Sequence, residues 1–171
     1  MYEVEAKVPL TKSDFLRLQK QLKKTAKFKE KSLKKDIYYN NPKEAFIRIR
    51  KEGKNAVFNI KDKGVKKGIE ANIEMEWGIK DKEKWTALLN KLGIKASIRK
   101  TKKTEAYQLN GFNIELNHVV KLGYFLEIER IVRSKKQIPK AKKELIDIFR
   151  NFGYSQKDFE KRYYLDLLQS M

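Results

Sequence analysis

The chain has 171 residues, enough for one domain with a proper apolar core or at most two small ones. Lys and Arg number 41 against 22 Asp and Glu, a net charge of +19, yet 40% of residues are hydrophobic and 11% aromatic, which excludes a disordered basic tail. There is no cysteine and His118 is the one histidine, so disulfide scaffolds, thiolate catalysis and multi-histidine metal sites are excluded, and any metal must be held by carboxylates, as hard cations are.

In chain order, period-two alternation predicts a first strand over about Tyr2–Val8. A helix follows Pro9, capped by Thr11 with Asp14 three residues on, and Phe15, Leu18 and Leu22 form its buried stripe. Strands are expected near Lys35–Tyr39, Ala45–Lys51, Ala56–Lys61 and Ile69–Ile79. A helix from about Asp81 carries Trp85, Leu88, Leu89 and Leu92 and ends at Gly93. Strands resume near Ala96–Thr104, Asn113–Asn117 and Phe125–Val132. A helix opening at Ile138-Pro139 carries Leu145, Phe149 and Phe152 and stops at Gly153. The last begins at Ser155, with Asp158 completing a capping-box pattern, and carries Phe159, Tyr163 and Leu167. Roughly eight strands and four helices, with no linker and no repeat, make an antiparallel α+β domain. No apolar run approaches the roughly 18 residues of a membrane span. The N-terminus opens on charges and lacks a signal-peptide core, so a cytoplasmic location is expected.

Side chains two apart on a strand share a face. On the first strand that face is Glu3, Glu5 and Lys7; on the third, Arg48 and Arg50; on the fourth, Asn59 and Lys61. The fifth presents Asn72, Glu74 and Glu76, the sixth Lys100 and Lys102, and the eighth Glu127 and Glu129. Any one of these reads as the wet face of a sheet. Together they are sorted, with Glu-x-Glu on three strands and paired cations on others. Closing the sheet into a barrel turns these charges inward and leaves the apolar faces for the helices to cover. Clustered carboxylates then need a divalent cation and clustered cations need an anion. A metal-bound polyphosphate meets both needs.

These residues also fall into an ordered series of motifs. Glu3-Val-Glu5-Ala-Lys7 resembles the ExExK signature of the CYTH superfamily, the triphosphate tunnel metalloenzymes. Asp36-Ile-Tyr38-Tyr39, Phe46-Ile-Arg48-Ile-Arg50, Phe58-Asn-Ile-Lys61 and Glu74-Met-Glu76 follow in the family's order. Leu122-Gly123-Tyr-Phe125-Leu-Glu127-Ile-Glu129 and the ending Tyr163-Tyr-Leu-Asp-Leu-Leu168 complete it. The similarity covers essentially the whole chain, which is read as a single CYTH-like domain over residues 1–171. The resemblance implies a closed eight-stranded antiparallel β-barrel, the triphosphate tunnel, with helices packed outside. It implies Glu3, Glu5, Glu127 and Glu129 as ligands of Mg²⁺ or Mn²⁺, with Glu74 and Glu76 contributing directly or through water. It implies Lys7, Arg48, Arg50, Lys61, Lys100 and Lys102 around the phosphates, and Tyr38 with Lys61 assisting the attack of water in the hydrolytic branch.

Three positions depart from the family pattern: Asn117 stands where Asp is usual, Thr104 where Arg is frequent, and Asn72 where another Arg is expected. Asn117 can neither supply a charge nor accept a proton as Asp does. His118 is read as a surface or turn residue without a role. The expected function is metal-dependent cleavage of a triphosphate-containing small molecule such as ATP, tripolyphosphate or thiamine triphosphate. Attack by the ribose 3′-hydroxyl of ATP makes it a class IV-like adenylyl cyclase; attack by water makes it a triphosphatase. The competing reading is a non-catalytic module for polyphosphate, nucleotides or RNA, which the net charge keeps open. Six glutamates on the barrel face argue against a nucleic-acid partner, since they repel phosphate. A monomer or homodimer and no membrane association are expected.

Overall fold

The computed structural model describes residues 1–40, 45–62 and 65–171. Among them the elements run β1 (Tyr2–Leu10), α1 (Lys12–Thr25), β2 (Lys27–Tyr39), β3 (Ala45–Glu52), β4 (Asn55–Asp62), β5 (Val65–Lys66) and β6 (Ile69–Ile79). Then come α2 (Lys82–Lys91), β7 (Ala96–Leu109), β8 (Phe112–Val119), β9 (Gly123–Val132), α3 (Ile138–Asn151) and α4 (Tyr164–Gln169). The strands are ordered β1-β9-β8-β7-β2-β3-β4-β6, and β6 returns to pair with β1 from Tyr2↔Ile73 to Ala6↔Ile69. All pairings are antiparallel, so the sheet is a closed eight-stranded barrel. Closure gives each of the eight barrel strands a paired neighbour on both sides.

The alternation decides what goes where. Val4, Ala6 and Val8 of β1 turn outward and, with Ile114, Leu116, Leu126 and Ile128, meet Leu18 and Leu22 of α1 and Leu145 and Phe149 of α3. A smaller cluster joins Tyr39, Ile47, Ile49 and Phe58 to Leu89 of α2, where Trp85 stacks on Phe58 at 4.9 Å. The apolar core therefore lies between barrel and helices, and the barrel interior is left to polar side chains. Helix α1 begins as expected: the Asp14 N–H donates to Thr11 Oγ1 over 3.1 Å, a cap of about 1 kcal/mol. No described helix is long and apolar enough to cross a membrane.

Besides β7, which runs on past Thr104 to Leu109 beside the lengthened β2, three elements differ from expectation. Strand β2 starts at Lys27, not Lys35, because residues 27–33 project past the barrel and pair with β7 alone (Leu33↔Lys103, Lys27↔Gln108). Both faces of that stretch lie toward water, so no alternation announces it. The short β5 forms a hairpin on β6 through Lys67 (φ 55°) and Gly68 (φ 78°). At Gly68 a Cβ would come within 2.7 Å of the Phe159 Cβ, so backbone and ring meet there only without a side chain. That contact also explains the third difference. The Ser155–Asp158 capping box drives just one 3₁₀ turn, Gln156–Asp158. Phe159 is then drawn extended into the core against Phe149, and the Glu160 N–H bonds the Lys7 carbonyl at 2.9 Å. Helix resumes only at Tyr164.

Candidate functional site

The inward faces enclose a cavity of about 200 Å³. Its charges divide by half-wall. The contiguous strands β8-β9-β1-β6 supply Glu115, Glu127, Glu129, Glu3, Glu5, Glu70, Glu74 and Glu76, with Lys7 as their one cation. The other four, β7-β2-β3-β4, supply Lys100, Lys102, Lys34, Arg48, Arg50 and Lys61, backed by the buried Asp36. Every residue singled out in the sequence for catalysis, phosphate or metal lines this cavity. Glu70, Glu115 and Lys34 were missed. Each is reached by extending an alternation already in hand: Glu70 two before Asn72, Lys34 four before Tyr38, and Glu115 two before Asn117.

Register builds the acidic wall. Glu5 lies directly opposite Glu129 on β9 and Glu70 on β6, a row of three carboxylates across three strands. Like charges placed so are destabilising. Ammonium groups occupy the row: Lys61 Nζ is 2.5 Å from Glu3 Oε2 and 3.1 Å from both Glu5 Oε2 and Glu70 Oε2, while Lys7 donates to Glu70 Oε1 at 2.9 Å. Burial first, then the neighbouring Glu3, Glu115 and Glu5, pushes Glu129 well above the usual carboxylate range. Burial likewise raises Glu3, and raises Glu5 with help from Glu70. Burial also works against charge on Lys61, but Glu5, Glu3 and Glu70 outweigh it and hold this ammonium protonated.

The basic wall is organised on Asp36, whose side chain is wholly buried. It accepts Arg50 through both oxygens at 2.8 and 3.1 Å and Lys100 Nζ at 3.1 Å. Lys100 also donates to Tyr38 Oη at 3.0 Å. The resemblance paired Tyr38 with Lys61; in this chain the lysine at Tyr38 is Lys100, and Lys61 sits among carboxylates. Burial would raise the Tyr38 phenol, yet Lys100, with Arg48 assisting against Asp36, brings it below its ordinary value. Lys100→Met is therefore expected to move Tyr38 ionisation to higher pH. The check is a tyrosinate absorbance titration of each form, taken as a difference from its Tyr38→Phe counterpart; an unmoved curve would refute the coupling.

Glu127 and Glu74 are engaged outside the acidic row. Glu127 accepts Tyr164 Oη at 2.8 Å, Asn117 Nδ2 at 3.2 Å and Lys102 Nζ at 3.4 Å. Glu74 accepts Arg48 at 3.2 Å and a bond from Asn59. Asn117 and Thr104, two of the departures from the family pattern, are cross-strand partners joined at 2.7 Å. One neutral hydrogen bond thus stands where the pattern has a cation and an anion, so these two departures together leave the net charge unchanged. The third, Asn72, bonds Glu70 and Tyr163 Oη, each at 3.4 Å. Tyr163, Tyr164 and Leu165 line one end of the cavity, with Lys7 Nζ over both tyrosine rings at 5.7 and 5.2 Å. His118 stacks on Tyr124 at 4.8 Å and does not line this cavity.

Oxygens of Glu3, Glu5 and Glu129 lie within 4.8 Å of one another. An all-carboxylate set under mutual repulsion suits a hard divalent cation, so these residues fit one. A closed barrel whose interior carries acids on one half and bases on the other has the architecture of a triphosphate tunnel. The chain belongs to the CYTH family: the family model for the CYTH domain matches residues 1–164. A Methanocaldococcus jannaschii protein bearing the name "Putative adenylate cyclase MJ0240" is 31% identical over 174 residues, 98% of each chain. The solved structure of the PH1012 protein of Pyrococcus horikoshii is 30% identical, with a TM-score of 0.86 over 96% of this chain and 98% of that one. The Hippeastrum protein HpAC1, described as having a dominant triphosphatase activity, is 15% identical and shares the fold, with a TM-score of 0.69 over 99% of this chain and 95% of its own.

Proposed function

We propose that this protein is a metal-dependent enzyme that draws the triphosphate of a small molecule into the tunnel and cleaves it by in-line displacement at phosphorus. The observation that supports this most is the sorting of charge into two facing half-walls. A purely basic tunnel would suit any polyanion; one lined on one side by carboxylates suits a polyanion accompanied by a cation. Glu3, Glu5 and Glu129 would hold Mg²⁺ or Mn²⁺, with Glu74, Glu76 and Glu127 on the same half-wall as outer ligands. Arg48, Arg50, Lys7, Lys100 and Lys102 would line the phosphates, and Tyr38 and Lys61 would stand near the reacting oxygen. A bound divalent cation neutralises phosphoryl charge and lowers the barrier to displacement. The side chains contribute alignment and fixed donors, which supply most of the catalysis in phosphoryl transfer. A cavity of about 200 Å³ is small beside the roughly 300–1,000 Å³ of ordinary ligand pockets, which favours the phosphate chain inside and the organic part toward the mouth. The whole chain is read as one such domain, because Leu167 of α4 packs with Val119 and Phe125 of the barrel.

The test is incubation of the purified protein with ATP and with tripolyphosphate, each with Mg²⁺ or Mn²⁺, followed by chromatographic separation of products. Cyclic AMP with pyrophosphate makes the attacking group the ribose 3′-hydroxyl; orthophosphate makes it water. Retained binding with no product would leave a non-catalytic polyphosphate module instead.

A second expectation concerns stability. Carboxyl groups raised by burial and by one another resist ionisation as pH rises, and metal binds only their ionised forms. At about 100 times its dissociation constant a metal adds about 2.7 kcal/mol, so melting is expected to rise by roughly 5–10 °C near pH 8. The rise should be much smaller near pH 5. Calorimetry at the two pH values decides it, and an equal rise at both would count against these carboxylates as the ligands.

A further inference from the structure

Lys61 is placed where its ammonium does the work of a metal. It reaches from β4, on the basic half-wall, to the acidic half, and its Nζ lies 2.5 Å from Glu3 Oε2, 3.1 Å from Glu5 Oε2 and 3.1 Å from Glu70 Oε2. One of its hydrogens goes to Glu5 Oε2, and the other two carboxylates hold the same ammonium as ion pairs. Two of those carboxylates, Glu3 and Glu5, belong to the three-carboxylate group that fits a divalent ion. So long as Lys61 sits there, the acidic row is neutralised from within and the ammonium is held to the carboxylates and away from a phosphate. A divalent cation drawn to the same carboxylates would stand within a few ångströms of this ammonium, at a repulsion neither could sustain in a buried site.

We infer that Lys61 is an internal placeholder for the metal, and that a divalent cation enters by exchanging with its ammonium. The inference rests on the metal-site reading above. Exchange has two consequences. Metal affinity in the absence of triphosphate is reduced by the fraction of molecules in which Lys61 fills the row. And a bound metal releases the hydrogens of Lys61 into the tunnel, so that the same event that neutralises the carboxylates arms a phosphate donor on the facing wall. The empty tunnel is thereby kept from gripping phosphate with Lys61 before the cation is in place.

The test measures Mn²⁺ binding without triphosphate, from the free-ion electron paramagnetic resonance signal, for the wild type and for Lys61→Met, Lys7→Met and Glu5→Gln. Lys7 serves as the control because it carries the same charge in the same cavity and bonds Glu70 at 2.9 Å, without an ion pair to Glu3 or Glu5. Lys61→Met is expected to bind Mn²⁺ roughly tenfold tighter than wild type or more, and Lys7→Met within about threefold. Equal tightening in both lysine variants would mean a general field effect and overturn the exchange, as would no tightening in Lys61→Met. Should Lys61→Met fail to fold, the wild type decides the matter. With lysine side chains labelled with ¹⁵N, the buried ammonium resonance that vanishes in Lys61→Arg should shift or broaden as Mg²⁺ is added; a resonance unchanged at saturation overturns the proposal. If the wild type binds no Mn²⁺, or binds it equally well as Glu5→Gln, the metal-site reading itself has failed. If binding is lost in Glu5→Gln and only the lysine results disagree, the exchange alone has failed.

Discussion

Glu5→Gln is expected to lower cleavage of tripolyphosphate and ATP by about two to three orders of magnitude, the usual effect of removing one preorganised charged contact from a transition state. The position makes the variant informative. Glu5 is the centre of the acidic row, facing Glu129 on one side and Glu70 on the other. Glutamine keeps the shape and one acceptor oxygen but removes the charge a divalent ion requires. It also removes a repulsion that raises Glu129, and Lys61 keeps its contacts with Glu3 and Glu70. Without metal the variant should therefore melt at or above the wild-type temperature, while the metal-dependent rise in melting is lost. Activity and stability move in opposite directions, which no general loss of structure imitates. Turnover within tenfold of wild type in Glu5→Gln, measured with the metal present, would remove Glu5 from the chemistry.

Much of this site was legible because strand alternation is a local rule. Glu3-x-Glu5-x-Lys7 and Arg48-x-Arg50 each declare one face without knowledge of any neighbour. What alternation does not carry is which strands become neighbours. That the Glu5 row would gather Glu70 and Glu129, and that Lys100 rather than Lys61 would meet Tyr38, are facts of barrel register set by non-local pairing. Residues 27–33 were misread for a related reason: a strand that leaves the barrel has no inside, so its pattern carries no period. The last helix was misread because a good capping box met a stronger tertiary demand, the burial of Phe159 against Gly68 and Phe149. Net charge alone does not describe the site: eight carboxylates and seven cations line the tunnel, so the +19 excess lies elsewhere on the molecule. The tunnel is distinguished by the arrangement of its charge and not by its sum.

The same reasoning places the largest structural penalty on the basic wall. Asp36→Asn is expected to cost about 3–5 kcal/mol, the usual price of breaking a buried ion pair from one side, and to lower melting by roughly 10 °C. Asp36 has no exposed side-chain surface and is the one carboxylate shared by Arg50 and Lys100. Asparagine is nearly isosteric, so packing survives, but both largely buried cations lose their counter-charge. The pH dependence gives the claim a second edge. Burial would raise this carboxyl, but Lys100, Arg50 and Arg48 outweigh it and hold it well below its ordinary 3.8. A group depressed in this way contributes its full stability above the unfolded value and loses it as pH falls toward the folded one. The gap between wild type and Asp36→Asn should therefore be constant from pH 7 to about 5 and close progressively below about pH 4. Glu3, Glu5 and Glu129 carry the opposite sign, since their raised values make acid less damaging to that half of the tunnel. Denaturant unfolding of both proteins across this range tests the assignment directly. A gap below about 1 kcal/mol at pH 7, or one that does not narrow at all between pH 5 and pH 3, would mean that Asp36 does not organise the basic wall and that Arg50 and Lys100 are held by other means.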